Sequence, residues 1–109
     1  MSHRTLQVGE VLLREISQII ARDVEPPRDC LITVMRVEVT PDLHQAKVFV
    51  SILPENKTGS ALKKLQQQTG EIQRLLNAKL TMKFSPRIQW AVDLTNVKYA
   101  QIDDALKQK

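Results

Sequence analysis

The sequence predicts an α+β fold, a three-stranded sheet packed on one face by helices. Residues 5–24 and 61–83 carry apolar side chains at steps of three or four, which is typical of amphipathic helices. Residues 30–40, 45–53 and 86–93 are rich in β-branched residues and alternate in polarity, as strands do. The predicted order is αββα(kink)αβ. With 109 residues, we expect a single domain spanning residues 1–109, with frayed ends.

The first predicted helix runs from Thr5 to Val24. It ends before Pro26 and Pro27, because proline cannot continue a helix and disfavours a helical residue before it. The apolar residues that mark its buried face are Val8, Leu12, Ile16, Ile19 and Ile20.

The next two predicted elements form an antiparallel hairpin. The first strand, Cys30–Thr40, changes its alternation part-way, which indicates either a bulge near Met35 and Arg36 or a strand buried on both faces. Residues 41–44 have the composition of a turn. The second strand, Gln45–Leu53, alternates cleanly, so one of its faces should lie on the core.

The long helical segment predicted for Ala61–Lys83 organises the rest of the chain. Ser60 is a plausible N-cap for it. Gly70 lies in the middle of the segment, where glycine costs about 1 kcal/mol relative to alanine. The apolar stripe keeps its phase across this glycine, which favours a kink or tight packing over a full break. The stripe consists of Leu62, Leu65, Thr69, Ile72, Leu76 and Leu80.

The same segment holds the charge surplus of the chain. Residues 60–83 contain five Lys or Arg and one acid, a net charge of +4 that equals that of the whole protein. Lys63 and Arg74 are eleven residues apart, or about three turns, so they lie nearly in line along the helix. Such a row suits the phosphates of a nucleic acid. The alternative is a solvated helix whose cations keep the protein soluble.

The last predicted strand is Pro86–Asp93. Trp90 shares its parity with Ile88 and Val92, which favours a core position over base stacking. Thr95 could cap a short terminal helix. The side chains that could dock this helix on the domain are Val97, Ile102 and Leu106.

Enzymatic function finds little support in the sequence. Cys30 is the only cysteine, and no metal, nucleophile-elbow or phosphate-loop motif is present. A Cys30–His44 pair would need a spatial proximity that nothing in the sequence supports, and a solvated turn histidine is the better interpretation. No apolar run is long enough to span a membrane, and Met1–Glu10 lacks the apolar region that a signal peptide needs. We therefore expect a cytoplasmic protein that is not an enzyme and needs no cofactor or metal.

Several segments together resemble the ribosome-binding factor A family. Residues 37–51, VEVTPDLHQAKVFVS, are similar to its hairpin, Leu65–Leu80 to its kinked helix region, and Pro86-Arg87-Ile88 with Asp93 to its last strand. The resemblance covers residues 5–106. It implies a type II KH-like fold, in which a helix kink at Ala-x-Gly replaces the usual GxxG loop. Here the segment is Gln68-Thr69-Gly70, in which the glycine is kept and Gln68 replaces the alanine.

The resemblance also implies a function. The family binds the immature small ribosomal subunit, contacts its rRNA, and acts without catalysis in ribosome biogenesis, rRNA processing and cold adaptation. The resemblance also implies that the protein is a monomer when it is not bound to the ribosome. The alternative is a KH-like protein-interaction module without RNA contact, whose open sheet edge pairs with a partner strand. The RNA-binding residues that the resemblance implies are Lys63, Lys64, Thr69, Gly70, Arg74, Lys79, Lys83 and Arg87.

Overall fold

The computed structural model describes residues 3–24, 29–80 and 85–93. Over these ranges the α+β fold and the predicted order of helices and strands are confirmed, with the long helical segment as one helix. A short 3-10 turn, Glu55–Lys57, precedes the second helix. The elements are α1 (His3–Asp23), β1 (Leu31–Val39), β2 (Gln45–Leu53), α2 (Thr58–Lys79) and β3 (Arg87–Val92).

The three strands form one mixed sheet with β2 in the centre. Strand β1 pairs with β2 in antiparallel orientation, as predicted for the hairpin. Strand β3 pairs with the other edge of β2 in parallel orientation. A parallel neighbour needs a crossover connection, and α2 lies in that connection. The sheet order β1-β2-β3 therefore places α2 next to β3 and α1 next to β1.

The predicted bulge in β1 is confirmed. Val34 pairs with Val50 and Arg36 pairs with Phe49, so Met35 is the extra residue. An extra residue reverses the alternation, and it brings Ile32 and Val37 to the same face of the sheet. The bulge excludes the other interpretation of the pattern, a strand buried on both faces.

Both helices cover the same face of the sheet, and an aliphatic core fills the space between the helices and the sheet. From β2 the core takes the alternating residues Ala46, Val48, Val50 and Ile52, as predicted. Helix α1 contributes Leu12, Ile16, Ile19 and Ile20. The buried residues of α2 are Ala61, Leu65, Ile72 and Leu76, whereas Leu62 and Leu80 are half-buried at the margin.

Helix α1 lies very close to β1 at Gly9. A Cβ added to this glycine would lie 2.9 Å from the carbonyl oxygen of Val37 and 3.9 Å from a methyl group of Val39. Only a residue without a side chain permits this separation. Gly9 therefore sets the distance between α1 and β1, a role that helical periodicity did not indicate.

Helix α2 corrects one expectation and confirms another. It begins at Thr58, so Ser60 lies inside its first turn and is not the N-cap; Lys57 holds that position without a side-chain cap. The helix also continues without interruption through Gly70 to Lys79. The expectation that Gly70 does not break the helix is therefore confirmed, and the kink stays a prediction. A Cβ on Gly70 would meet nothing within 4 Å, so tight packing does not explain this glycine.

Several predictions fall outside the described residues. They concern the Pro26-Pro27 helix stop, the part of the basic segment that includes Lys83, the terminal helix after Thr95, and the frayed ends. Within the described ranges, neither helix is long and apolar enough to cross a membrane.

Candidate nucleic-acid interface

The outer face of α2 presents basic side chains to solvent. Lys63, Gly70 and Arg74 are exposed and lie on one line of the helix, because seven and four residues are close to whole turns. The buried side chains of Leu65 and Ile72 lie on the opposite side of the helix. This arrangement confirms that the apolar stripe and the basic row occupy different faces of α2.

The cations of α2 differ in how far they are already paired. Within the described residues, Lys63 and Lys64 make no ion pair. Arg74 makes two hydrogen bonds to the carboxylate of Glu71, one of them from Nε to Oε2 at 3.0 Å. These bonds lower the pKa of Glu71 and raise the pKa of Arg74. The two lysines therefore keep charges that no acid compensates, with Lys63 exposed and Lys64 half-buried.

Lys79 lies at the end of α2 that faces α1. Its Nζ is 4.0 Å from a carboxylate oxygen of Glu15, and its side chain is 39% exposed. A pair this exposed contributes little to stability. Lys79 can exchange this carboxylate for another anion, although it lies away from the row formed by Lys63 and Arg74.

Thr69 lies on the inner side of α2, where its hydroxyl group bonds within the chain. The hydroxyl donates to the carbonyl oxygen of Leu65 at 2.7 Å and accepts from Trp90 Nε1 at 2.7 Å. Trp90 is half-buried against the core, which agrees with its predicted position. The structure gives Thr69 the role of joining α2 to β3.

A second link between α2 and β3 was missed by sequence reasoning. Gln73 Nε2 donates to the carbonyl oxygen of Pro86, and Gln73 Oε1 accepts from the backbone N–H of Ile88, both at 3.0 Å. The side-chain amide thus pairs with the free edge of β3 as a neighbouring strand would. The sequence signal was the position of Gln73, next to the apolar stripe on a helix that crosses to a parallel strand.

The structure does not bring Arg87 together with the α2 cations. Ile88 is buried and Trp90 reaches Thr69, so these two residues of β3 face the helices. Arg87 alternates with them and is exposed on the other face of the sheet. Lys83, the remaining predicted contact, lies outside the described residues.

The Cys30–His44 pair does not form. Cys30 precedes β1 and His44 lies in the turn after it, so a whole strand separates them, roughly 30 Å at 3.3 Å per residue. Among the described residues, no group of three or more His, Cys, Asp or Glu could hold a metal ion.

Replacing Gly70 with alanine should stabilise the domain. The position is exposed, inside a continuous helix and free of neighbours, so the higher helix propensity of alanine should raise the free energy of unfolding by about 1 kcal/mol. Urea unfolding followed by circular dichroism measures this change. A destabilised variant would show that the backbone at Gly70 departs from helical geometry.

Comparison with known proteins decides the family. The family model for ribosome-binding factor A matches residues 4–106. The chain belongs to the ribosome-binding factor A family. It is 37% identical over 106 residues to the family member of Halothermothrix orenii, covering 96% of this chain and 87% of that protein. It is 36% identical over 110 residues to the member of Caldicellulosiruptor saccharolyticus, covering 96% and 81%.

Solved structures of the family share the fold. The crystal structure of ribosome-binding factor A from Thermus thermophilus aligns with a TM-score of 0.71 at 22% identity, covering 81% of this chain and 94% of that one. A Thermus thermophilus homology model fitted into the cryo-EM map of a 30S–RbfA complex aligns with a TM-score of 0.68 at 24% identity, covering 86% and 96%.

Proposed function

We propose that this protein binds the small ribosomal subunit during its maturation, through rRNA contacts on the outer face of α2. The interface, here called the α2 surface, consists of Lys63, Lys64, Gly70 and Arg74. Lys79 lies at its margin, and Lys83 would extend it. The observation that carries the proposal is the exposed basic row, which lies on the segment that holds a charge equal to the net charge of the chain.

Family membership supports this partner. One structural neighbour was fitted as part of a 30S–RbfA complex, so a protein of this fold has been placed on a small subunit. The α2 surface suits rRNA because cations spaced along a helix meet successive phosphates and release their counterions. Such contacts position a protein on RNA, whereas recognition of a transient rRNA shape provides selectivity.

The geometry gives each residue of the α2 surface a part. Lys63 and Lys64 would contact phosphates directly, because no acid competes for them within the described chain. Arg74 would contact RNA while held by Glu71, which fixes its orientation. Gly70, exposed between Lys63 and Arg74 on the same line, lets a phosphate approach the helix backbone.

Replacement of Lys63 and Lys64 by glutamine tests the proposal. The double variant should bind immature small subunits at least tenfold more weakly near 0.1 M salt, because each phosphate contact contributes about one unit to the salt slope. The slope of log K against log salt should fall by about 2. Co-sedimentation with purified immature and mature subunits across a salt series gives both quantities.

A matched control uses Arg4 and Arg22, two exposed cations of α1 that also make no ion pair within the described residues. Arg4→Gln with Arg22→Gln removes the same net charge and should change the affinity less than twofold. Equal losses for the two double variants would mean that total charge, and not the α2 surface, determines binding.

The competing function is a protein-interaction module that pairs a sheet edge with a partner strand. It predicts weak salt dependence and no loss of binding in the Lys63 and Lys64 variant. The structure covers part of each outer edge, since α1 lies against β1 at Val37 and Gln73 pairs with β3 at Ile88. We therefore favour the RNA-binding role, that of a non-catalytic cytoplasmic factor in rRNA processing and cold adaptation.

A further inference from the structure

The sheet face turned away from the helices carries cations that the α2 surface does not use. This face, here called the open face, is formed by the residues of each strand that alternate with the buried ones. On β2 and β3 the register pairs Gln45 with Arg87 and Lys47 with Gln89, and all four residues are exposed. The hairpin end of the open face therefore carries two cations and two amides, with the carboxylate of Glu38 opposite Lys47 on β1.

The two cations at this end lie close together. Lys47 and Arg87 occupy diagonal positions on neighbouring strands, so their Cα atoms are roughly 8 Å apart from the strand spacing and rise. Neither makes an ion pair within the described residues. Both are available to an anion from solvent.

Next to them lies an arginine that is already held in place. The guanidinium of Arg36 lies 3.9 Å from the centroid of the Phe49 ring and forms ion pairs with Glu38 at 3.4 Å and Asp93 at 3.9 Å. Lys47 Nζ lies 5.6 Å from the same centroid. Two acids of this face, Glu38 and Asp93, are engaged by Arg36, and Glu38 is also the cross-strand partner of Lys47. The three cations Arg36, Lys47 and Arg87 therefore exceed these two acids by one charge.

We infer that the open face is a second RNA-contact surface, in which Lys47 and Arg87 bind phosphates of an rRNA segment other than the one on the α2 surface. This inference rests on the proposed function and deepens it. The sheet and its helical layer lie between the two surfaces, so one RNA strand cannot follow a straight path across both. The domain would then bridge two segments of the immature subunit.

The chemistry of the open face favours RNA over an acidic protein segment. Gln45 and Gln89 surround the two cations and offer both donors and acceptors, which suit sugar hydroxyls and phosphate oxygens. An acidic peptide strand would instead need unpaired backbone groups, which a sheet face does not present. Charge complementarity therefore selects a polyanion whose ribose hydroxyls the amides can also bind.

The first test replaces Lys47 and Arg87 with glutamine in the full chain. Affinity for immature small subunits near 0.1 M salt should fall about tenfold or more, with a salt slope reduced by about 2. The Arg4→Gln and Arg22→Gln variant is again the charge-matched control. An affinity equal to that control would overturn the inference, while the Lys63 and Lys64 variant reports separately on the α2 surface.

The second test locates the RNA. In a Cys30→Ser background, Gln89→Cys on the open face or Gln67→Cys on the outer side of α2 carries a tethered hydroxyl-radical source. Each probe should cleave small-subunit rRNA, in two different segments. Cleavage from Gln67→Cys alone would overturn the second surface and leave the proposed function standing. Cleavage from neither probe, with no co-sedimentation of the unmodified protein, would reject both.

Discussion

Replacing Gly9 with alanine should lower the free energy of unfolding by about 2 kcal/mol, within the range for overpacked sites. The new Cβ would lie 2.9 Å from the carbonyl oxygen of Val37, a backbone atom that cannot rotate away. Helix α1 would have to move off β1, and this movement would loosen buried contacts such as those of Leu12. The loss exceeds the roughly 1 kcal/mol that alanine gains in helix propensity.

Urea unfolding gives the free energy, and thermal unfolding should show a midpoint lowered by roughly 10 °C for a domain of this size. Gly59→Ala and Gly70→Ala are matched controls, because both glycines lie in α2 with nothing within 4 Å of an added Cβ. All three substitutions add the same methyl group to a helix. A Gly9→Ala variant as stable as these controls would show that α1 and β1 can separate without cost.

The contrast between these glycines shows what periodicity can and cannot predict. Gly70 lies in the middle of a predicted helix, where glycine is unfavourable, yet an added Cβ would meet nothing there. Gly9 lies in an equally regular pattern, and its requirement depends on a strand that begins more than twenty residues later. Spacing along one helix contains no information about that distance, so only the packed structure could distinguish them.

The fold could be predicted from the sequence because the pattern of apolar residues within each strand and helix shows which side faces the core. The slip of alternation in β1 and the clean alternation of β2 both record which side chains face the core, so the bulge at Met35 could be predicted. Boundaries were less accessible: the sequence placed a cap at Ser60, whereas the helix starts at Thr58. A continuation of one or two residues depends on small energies at a helix end.

The structure keeps some of the predicted RNA-binding residues together and separates others, and the sequence could not show which. Lys63 and Arg74 share a helix face because of their spacing, and the structure keeps them together. Thr69 and Arg87 were assigned to the same interface by resemblance alone. The structure turns the hydroxyl of Thr69 toward Trp90 and places Arg87 behind the sheet, because strand direction and pairing depend on contacts distant in the chain.

Replacing Gln73 with leucine should destabilise the domain by about 2–6 kcal/mol, since two buried backbone groups lose their partners at roughly 1–3 kcal/mol each. The N–H of Ile88 and the carbonyl of Pro86 belong to buried residues, and the amide of Gln73 pairs with both. Leucine has a similar size and fits a helix well, so packing and propensity change little. The loss therefore reports these hydrogen bonds together with the exposed one that Gln73 Nε2 donates to Asn77 Oδ1 at 3.1 Å.

Gln66→Leu is the matched control, because Gln66 is exposed on the same helix and makes no hydrogen bond to β3 within the described residues. Its stability should change by less than about 0.5 kcal/mol, as is usual for surface positions. Amide hydrogen exchange then separates a local from a global effect. The Ile88 amide should exchange faster in Gln73→Leu even where the amides of β2 remain protected, since β2 is paired on both edges.

The same variant connects stability to the α2 surface. Within the described residues, Gln73 and Thr69 make the polar links that hold α2 against β3 and so fix the direction in which Lys63 and Arg74 point. If this orientation matters, Gln73→Leu should weaken subunit binding at temperatures where the protein is still fully folded, while Gln66→Leu should not. Unchanged binding by a folded Gln73→Leu protein would mean that the core contacts of Leu65, Ile72 and Leu76 position α2 without help from the strand edge.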